Sequence, residues 1–441
     1  MMLGTKSALS IAGLAVATLL GAAKPAAAQI PLVQYDGWHL STDGRVNAFL
    51  SMAEGKGIPD GESENLGAGI ADVATTSGDL HSARLRNGFI MSVLAFTGEK
   101  QVTPTFKVTT RVGLWMNLTG TRTKNSGAQV DPRELYGKIE GPWGSFLGGS
   151  NLSLFGRGGI LVDYDIAHNY GLGYPCAVRD VSGGACGMTA FGAPFPGFEP
   201  GMVYATPSLK GLQLSFGIYD PGTIGNAQLN RAPLPRVEGE LKYDFKDVFR
   251  VFGSGFWQVL EGTLPGMNRD LHVNAWGAQA GAMVSVGPVM LGGAAYEGAG
   301  FGPITYVEEG VVAGDSEGVL RKSRGGFGLA AFLINSLNLK VAGGAGVWSI
   351  DKTKNDSSAV TPGVNGGNPI PGNPQLIKQN LGYTVGLYQT TGPVHFALEY
   401  FRAQHTWYDR GVANPNDPTM VNTVTPKQVV NFVNAGMTIA W

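Results

Sequence analysis

The chain has 441 residues, with 32 Lys and Arg against 33 Asp and Glu, a near-neutral balance that excludes the strongly basic footprint of a nucleic-acid-binding protein. Glycine stands at 67, about twice the usual ~7%, which argues against a helical protein because glycine costs about 1 kcal/mol in a helix interior. Past the N-terminus no apolar run reaches the ~18 residues that a spanning helix needs, so if the chain belongs in a membrane at all it has to be a closed β-barrel.

The first element reads as a leader. Lys6 supplies a positive start, "ALSIAGLAVATLLGAA" an apolar run, and "AAA" before Gln29 a small-residue cleavage site, the three parts of a secretory signal peptide. Residues 1–28 are expected to be removed, leaving 29–441 as a single barrel domain with 30 basic and 33 acidic residues.

Next comes a strand in which Arg84 and Arg86 precede Phe89, Met91 and Val93. Strand parity would turn those three apolar residues outward and both arginines inward. The clearest strand follows at 103–119, "TPTFKVTTRVGLWMNLT". Phe106, Val108, Val112, Leu114 and Met116 share one face, while Lys107, Thr109, Arg111 and Asn117 share the other. A period of two over this length marks a strand with unlike surroundings on its two sides.

After "RELYGKIEGPWGSFLGG" (133–149) lies a long segment, 156–200, with no helix or strand pattern and with both cysteines of the chain. Structureless segments of this length are uncommon and usually functional. Export favours a disulfide between Cys176 and Cys186. Strand alternation resumes at 236–245, where Val237, Leu241, Tyr243 and Phe245 alternate with Arg236, Glu238, Glu240, Lys242 and Asp244. It recurs at Val394, Phe396, Leu398 and Tyr400, and again in the final "VVNFVNAGMTIAW". A strand face that carries full charges does not suit the core of a sandwich, but it suits the wall of a water-filled lumen.

Connections alternate between short and long. Short turns are expected at 98–101, 141–144, 208–211, 245–248, 286–288, 335–336 and 391–393. Long polar segments are expected near 55–79, 120–131, 156–200, 222–234, 262–270, 301–319, 351–378 and 408–426. Together they join 16 antiparallel strands, the even count and alternating loop lengths of bacterial outer-membrane barrels. Trp143, Tyr219, Tyr243, Phe249, Trp257, Trp348, Tyr383, Tyr400 and Trp407 fall near strand ends, where aromatic girdles meet the two membrane interfaces.

With these elements in place, the mature chain is similar to the Gram-negative general porins over nearly its whole length. "RELYGKIEGPWGSFLGG" resembles the family's fourth strand, tight turn and fifth strand, and "YATPSLKGLQLSFGIY" (204–219) its strand pair after the third loop. Three features depart from the family. The third loop reads "APFPGFEPG" rather than a Pro-Glu-Phe-Gly-Gly type tip, the fifth strand ends "GGSNLS" without the usual arginine, and the last residue is Trp441 rather than phenylalanine. The resemblance implies short periplasmic turns, long external loops, a third loop (156–200) folded inward as a constriction, and a homotrimer among the lipids of the Gram-negative outer membrane.

No catalytic chemistry is apparent. HExxH, P-loop, GxGxxG and metal-spaced cysteine patterns are missing from the sequence. His81 and Ser82 would point to opposite sides of a strand, and Asp163 with Asp165 lacks the other ligands of a calcium loop. The expectation is therefore not an enzyme but a porin, without cofactor or metal, for passive diffusion of small hydrophilic solutes and ions. The alternative is a substrate-specific sugar or anion channel, followed by a barrel adhesin or barrel enzyme. Walls of charged side chains select ions in aqueous pores. The expected wall is cationic, made of Arg84, Arg86, Lys107 and Arg111, and would face the loop acids Asp163, Asp165, Asp180 and Glu199.

Overall fold

The computed structural model describes residues 29–441 except 60–61, 63–77, 118–128, 179–180, 183–184, 225–227, 247, 265–268, 303–312, 359, 362–369, 372–375 and 415–416. The expected leader, Asp180 and the last two residues of the expected 103–119 strand lie outside the described residues.

The described residues form a closed antiparallel barrel of 16 strands, within a sheet of 18 hydrogen-bonded segments that also counts an N-terminal arm and a strand in two pieces. In chain order these are β1 (Trp38–Lys56), β2 (Asp79–Arg86 and Ser92–Thr103), β3 (Phe106–Asn117), β4 (Gln129–Gly141), β5 (Gly144–Leu152), β6 (Phe198–Ala205), β7 (Leu212–Tyr219) and β8 (Arg236–Phe245). The second half comprises β9 (Phe249–Leu264), β10 (Arg269–Val286), β11 (Val289–Ala299), β12 (Lys322–Ile334), β13 (Leu339–Ile350), β14 (Ile377–Thr391), β15 (Val394–Trp407) and β16 (Lys427–Ala440). Each pairs with its sequence neighbours, and β1 pairs with β16 from Arg45↔Ala440 to Gly55↔Val430. Closure leaves no free sheet edge, which lipid could not hydrogen-bond.

At the seam, the arm Ile30–Tyr35 turns at Asp36 and Gly37, both at positive φ (47° and 74°), and runs back along the start of β1. Two successive left-handed residues suit the right-handed twist of a hairpin. The arm thus extends the line of β16, whose terminal Trp441 exchanges two 3.0 Å backbone bonds with Gly44.

Alternation builds the wall as the sequence implied. On β7, Leu212, Leu214, Phe216 and Ile218 are exposed on the outer surface, while Ser215, Gly217 and Tyr219 are buried inside. On β8 the outward set is Val237, Leu241, Tyr243 and Phe245, and Arg236, Glu238, Glu240, Lys242 and Asp244 point inward. Six of the seven short turns fall where the sequence placed them. The exception is the expected turn at 98–101, which lies inside β2; the reversal occurs at Pro104 and Thr105. Proline lacks an N–H for the ladder and pre-sets φ for a turn.

A second departure concerns β2. Phe49 pairs with Arg86 while Arg45 pairs with Val93, so β2 carries three residues more than β1 across the break at 87–91. An odd insertion reverses parity. Arg84 and Arg86 do point inward, but Phe89 and Val93 do as well: Phe89 is 8% exposed and meets the His168 ring edge-on, and Val93 packs with Ala95 and Trp115 inside. Likewise, three of the expected girdle aromatics, Tyr219, Trp348 and Trp407, lie inside the barrel at 2%, 0% and 0% exposure. Trp143, Phe249, Trp257, Tyr383 and Tyr400 are on the outer surface.

The interior is not uniformly polar. One apolar cluster joins inward side chains of β9–β16 and β1, among them Phe252, Phe256, Phe327, Trp348, Phe401, Phe432 and Phe49, to the long loop between β5 and β6. A set of paired charges lines the wall from β1 to β9 on the short-turn half, and further charged inward residues, Glu238, Glu240, Lys340 and Glu399 among them, meet the loop.

Because Leu241 stands at mid-strand on the lipid-facing side, Leu241→Arg is expected to destabilise the barrel by about 2–4 kcal/mol. Equilibrium unfolding in lipid vesicles measures this; an unchanged midpoint would place Leu241 off the lipid face.

Candidate functional site

Residues 153–197 connect β5 to β6, and the described ones among them lie in the lumen, where they carry the helix α1 (Arg157–Ile166). α1 begins after Gly156 at φ 83°, where an added Cβ would stand 2.9 Å from the Pro194 carbonyl oxygen. Its buried side holds Gly158, Gly159, Ile160, Val162, Asp163 and Ile166. Small wall residues make this fit: a Cβ on Gly292 of β11 would come within 2.8 Å of Val162 and 2.9 Å of Ile166. "GGAAY" at 292–296 therefore divides by parity, with Gly292 and Ala294 turned to the helix and Gly293 and Ala295 outward.

The loop is fastened to β1, β2, β8, β9 and β13–β16. Phe155 N–H donates to Glu238 (2.8 Å) and Arg157 pairs with Glu240, both acceptors on β8. Asp165 pairs with Arg250 of β9 (3.0 Å), and Lys340 of β13 donates to the Asp165 carbonyl (3.3 Å). Arg45 of β1 donates to the Asn169 carbonyl (2.9 Å) and lies over the Tyr170 ring. Tyr170 also stacks on His395 of β15, with ring centroids 3.4 Å apart. Glu399 of β15 accepts the Leu172 and Gly173 N–H groups (2.8 and 3.1 Å) and the Tyr388 hydroxyl (2.7 Å). Asn434 of β16 donates to Gly173 O, Asn380 of β14 to Ala190 O, and Phe89 N–H to Gly171 O.

Inside the loop, Asp163 is fully buried and accepts from His168 Nδ1 (2.6 Å) and Met188 N–H (2.8 Å). Burial alone would lower the His168 pKa, but Asp163 beside it and Glu399 at 3.9 Å outweigh that and raise it above the ordinary histidine value. Burial also opposes the Arg157 charge, and Glu240 reverses the balance to raise its pKa. Cys176 and Cys186 form a disulfide with Cα atoms 5.8 Å apart. Beside it the backbone folds on itself so tightly that a Cβ on Gly173 would stand 2.5 Å from Gly187 Cα. The glycines of this segment thus permit close packing, and Tyr174 next to them sits among Phe191, Phe401 and Phe432 at 4.8–5.7 Å.

The residues singled out from the sequence do not form one constellation. Arg84 and Arg86 lie on the loop-end half of β2, with Arg86 buried near Tyr174. Lys107 pairs with Glu99 (2.5 Å), and Arg111 is held by Asp43 (2.7 and 2.9 Å) and Glu134 (2.9 Å). Of the loop acids, Asp163 is internal to the plug and Asp165 faces Arg250. Glu199 belongs to β6 rather than to the loop and pairs with Arg236, which also meets Glu238 (2.9 Å). Among the described residues no group of three His, Cys, Asp or Glu could hold a metal ion.

Several residues of this lumen were not singled out: Asp43, Arg45, Glu99, Glu134, Lys138, Glu140, Arg250, Lys340 and Glu399. Parity within "STDGRVNAFLS" could have placed Asp43 and Arg45 inside, since they alternate with the outward Val46, Ala48 and Leu50.

A family model described as Gram-negative porin matches residues 13–423. No curated protein matches the chain. Among solved structures, the chain is similar to the outer membrane channel DcaP of Acinetobacter baumannii, with 12% identity and a TM-score of 0.57 over 92% of this chain and 99% of that one. It is similar to an anion-selective porin from Comamonas acidovorans, with 13% identity and a TM-score of 0.54 over 92% and 100%. It is also similar to the trimer form of OmpT, an outer membrane protein of Vibrio cholerae, with 11% identity and a TM-score of 0.50 over 92% and 100%. At such identities the likeness shows the fold.

Two predictions follow from how the plug is seated. Glu399→Ala leaves the Leu172 and Gly173 N–H groups without their acceptor, each at a cost of about 1–3 kcal/mol, and is expected to unseat the loop while the barrel persists. Planar-bilayer recordings should show larger conductance fluctuations, and a quiet channel of unchanged conductance would refute the role given to Glu399. Replacing Cys176 and Cys186 with alanine frees a short ring, about 2–3 kcal/mol in the chain-entropy view, and should alter gating with little change in barrel melting. Loss of the barrel itself would contradict that assignment.

Proposed function

This chain belongs to the Gram-negative porin family and is an outer-membrane channel, and on that premise we propose that it passes small hydrophilic solutes and ions by passive diffusion. In this reading residues 1–28 are removed on export, the inward loop sets the narrowest point, and the barrel assembles as a homotrimer, as in the trimer form of Vibrio cholerae OmpT. Gly293 and Ala295, small and outward, allow close approach of a neighbouring copy.

The observation that carries the reading is the contrast between the two halves of the lumen. Toward the long loops, the inward face of β9–β16 is buried under the plug. Toward the short turns, inward side chains remain partly exposed and charged, and cations sit beside carboxylates. Lys138 meets Glu140 at 2.7 Å, Lys242 meets Asp244 at 3.0 Å, and Arg250 meets Asp244 at 2.8 Å, alongside the Lys107 and Arg111 pairs. Such a wall accepts polar solutes of either sign and favours sorting by size. Lys107 and Arg111 belong to its cationic component, opposed locally by Glu99, Asp43 and Glu134, while Arg84 and Arg86 extend the positive charge toward the loop end of β2. Tyr164 and Tyr170, partly exposed beside Arg45, favour a second reading as a substrate-specific channel. Conductance that saturates with a candidate sugar or anion would select that reading.

Single-channel reversal potential under a salt gradient tests the wall. Arg111→Gln leaves Asp43 and Glu134 uncompensated and is expected to raise the cation-to-anion permeability ratio roughly twofold, the effect of one partly screened charge. Neutralising Arg84 and Arg86 as well should enlarge the shift. Selectivity unchanged in the triple variant would remove the wall from the mechanism.

A further inference from the structure

His168 follows α1 by two residues and is completely buried, with an acid near each ring nitrogen. Nδ1 meets the Asp163 carboxylate at 2.6 Å, and Nε2 faces the Thr384 hydroxyl at 3.4 Å and the Glu399 carboxylate at 3.9 Å. A neutral imidazole carries one N–H and one lone pair. In either tautomer that lone pair would face a carboxylate, whereas an imidazolium presents a donor on both sides.

The charges around the ring point the same way. Asp163 of α1 and Glu399 of β15 are 0% and 1% exposed. Tyr388 of β14 donates to Glu399, and the partly exposed Lys340 of β13 is the cation that acts on the ring. Phe89 packs against the imidazole edge-on and brings no charge. Two enclosed carboxylates against one lysine leave a negative charge unbalanced where burial makes it costly. A proton on His168 restores the balance. Burial and Lys340 oppose that proton, and Asp163 with Glu399 outweigh them, so the His168 pKa lies above the ordinary histidine value.

These two acids also hold the loop. Glu399 accepts the Leu172 and Gly173 N–H groups on the branch before the disulfide, and Asp163 accepts Met188 N–H on the branch after it. We propose that His168 is a positioning residue of the channel: as an imidazolium it ties the two anchoring acids together and keeps both branches of the plug seated, and loss of its proton at alkaline pH loosens the plug. The inference rests on the reading of this loop as the narrowest point of the passage. A histidine whose pKa is raised in the seated loop contributes fully below the ordinary value of about 6.5, and the contribution is lost as pH rises through the raised value.

Planar-bilayer recordings of the folded barrel give the ratio of seated to unseated plug from the dwell times of its conductance levels. From about pH 6 to about pH 10 this ratio is expected to fall roughly threefold or more in the wild type. His168→Gln is expected to show the alkaline dwell times at every pH. Glu399→Gln, which removes one of the acids that hold the proton, should move the transition to lower pH. His272→Gln, exposed at the loop end of β10, should leave the wild-type profile unchanged. Circular dichroism and heat-modifiability confirm the fold of each variant. In long-range proton–nitrogen spectra of the histidine-labelled barrel in micelles, His168 is assigned by its absence from His168→Gln, and both its ring nitrogens are expected to be protonated at about pH 7. A neutral His168 at that pH, or an imidazolium whose loss leaves the dwell times unchanged, overturns the proposal. A barrel that passes no current at any pH contradicts the channel reading instead, and the clamp then stands or falls with the spectra.

Discussion

A long loop that enters a barrel leaves the sheet behind, and its backbone N–H groups must find acceptors where little water reaches. Three buried carboxylates supply them: Glu238 for Phe155, Glu399 for Leu172 and Gly173, and Asp163 for Met188, at 1%, 1% and 0% exposure. A carboxylate carries about four acceptor sites and gives charge-assisted bonds roughly twice as strong as neutral ones. It can therefore hold two or three donors at once, as Glu399 does. The position of the plug, and with it the shape of the remaining passage, depends on these acids and on the arginines and lysines that neutralise their surroundings.

Seen this way, acids on inward strand faces have two uses that sequence parity does not separate. Glu238, Glu240 and Asp244 alternate along β8 and all point inward. Glu238 and Glu240 fix the start of the plug, whereas Asp244 faces the open half and meets Lys242 and Arg250. Direction was legible because the strand period is two. Role was not, because the partners Phe155 and Arg157 lie 83 residues away in the chain. The Glu399 pairing with Leu172 spans 227.

Most of the architecture was written in local patterns. Strands such as β3 and β8, the alternation of turn and loop lengths, and the even strand count follow from period, glycine, proline and charge placed within a few residues of one another. The misplacements come from features of the same local size that break the period. The odd insertion at 87–91 reverses parity along β2, and Pro104 takes the turn that Gly98 had suggested. The inward Trp348 and Trp407 were misassigned for another reason. An aromatic near a strand end looks the same whether it faces lipid or an apolar plug, and the plug's own apolar residues, Phe191 and Met188 among them, sit in a segment without periodicity.

That apolar plug changes what the barrel interior can be. A lumen wetted throughout would need polar side chains on every inward face, yet Phe252, Phe256, Phe327, Phe401 and Phe432 are at most 7% exposed there. They pack against Ile160, Val162, Tyr174 and Phe191, so the seat of the plug is a hydrophobic core formed between a wall and a loop. Burial of this kind is non-directional and worth about 25 cal/mol per Å². The buried carboxylates add direction to it. On the proposed reading water occupies the side where paired charges remain, and there each of these cations stands within 4 Å of a carboxylate. At physiological salt the screening length is about 8 Å. A passing ion therefore meets local dipoles more than a net potential, and on the proposed reading the edge of the plug discriminates by size more strongly than the wall does by sign.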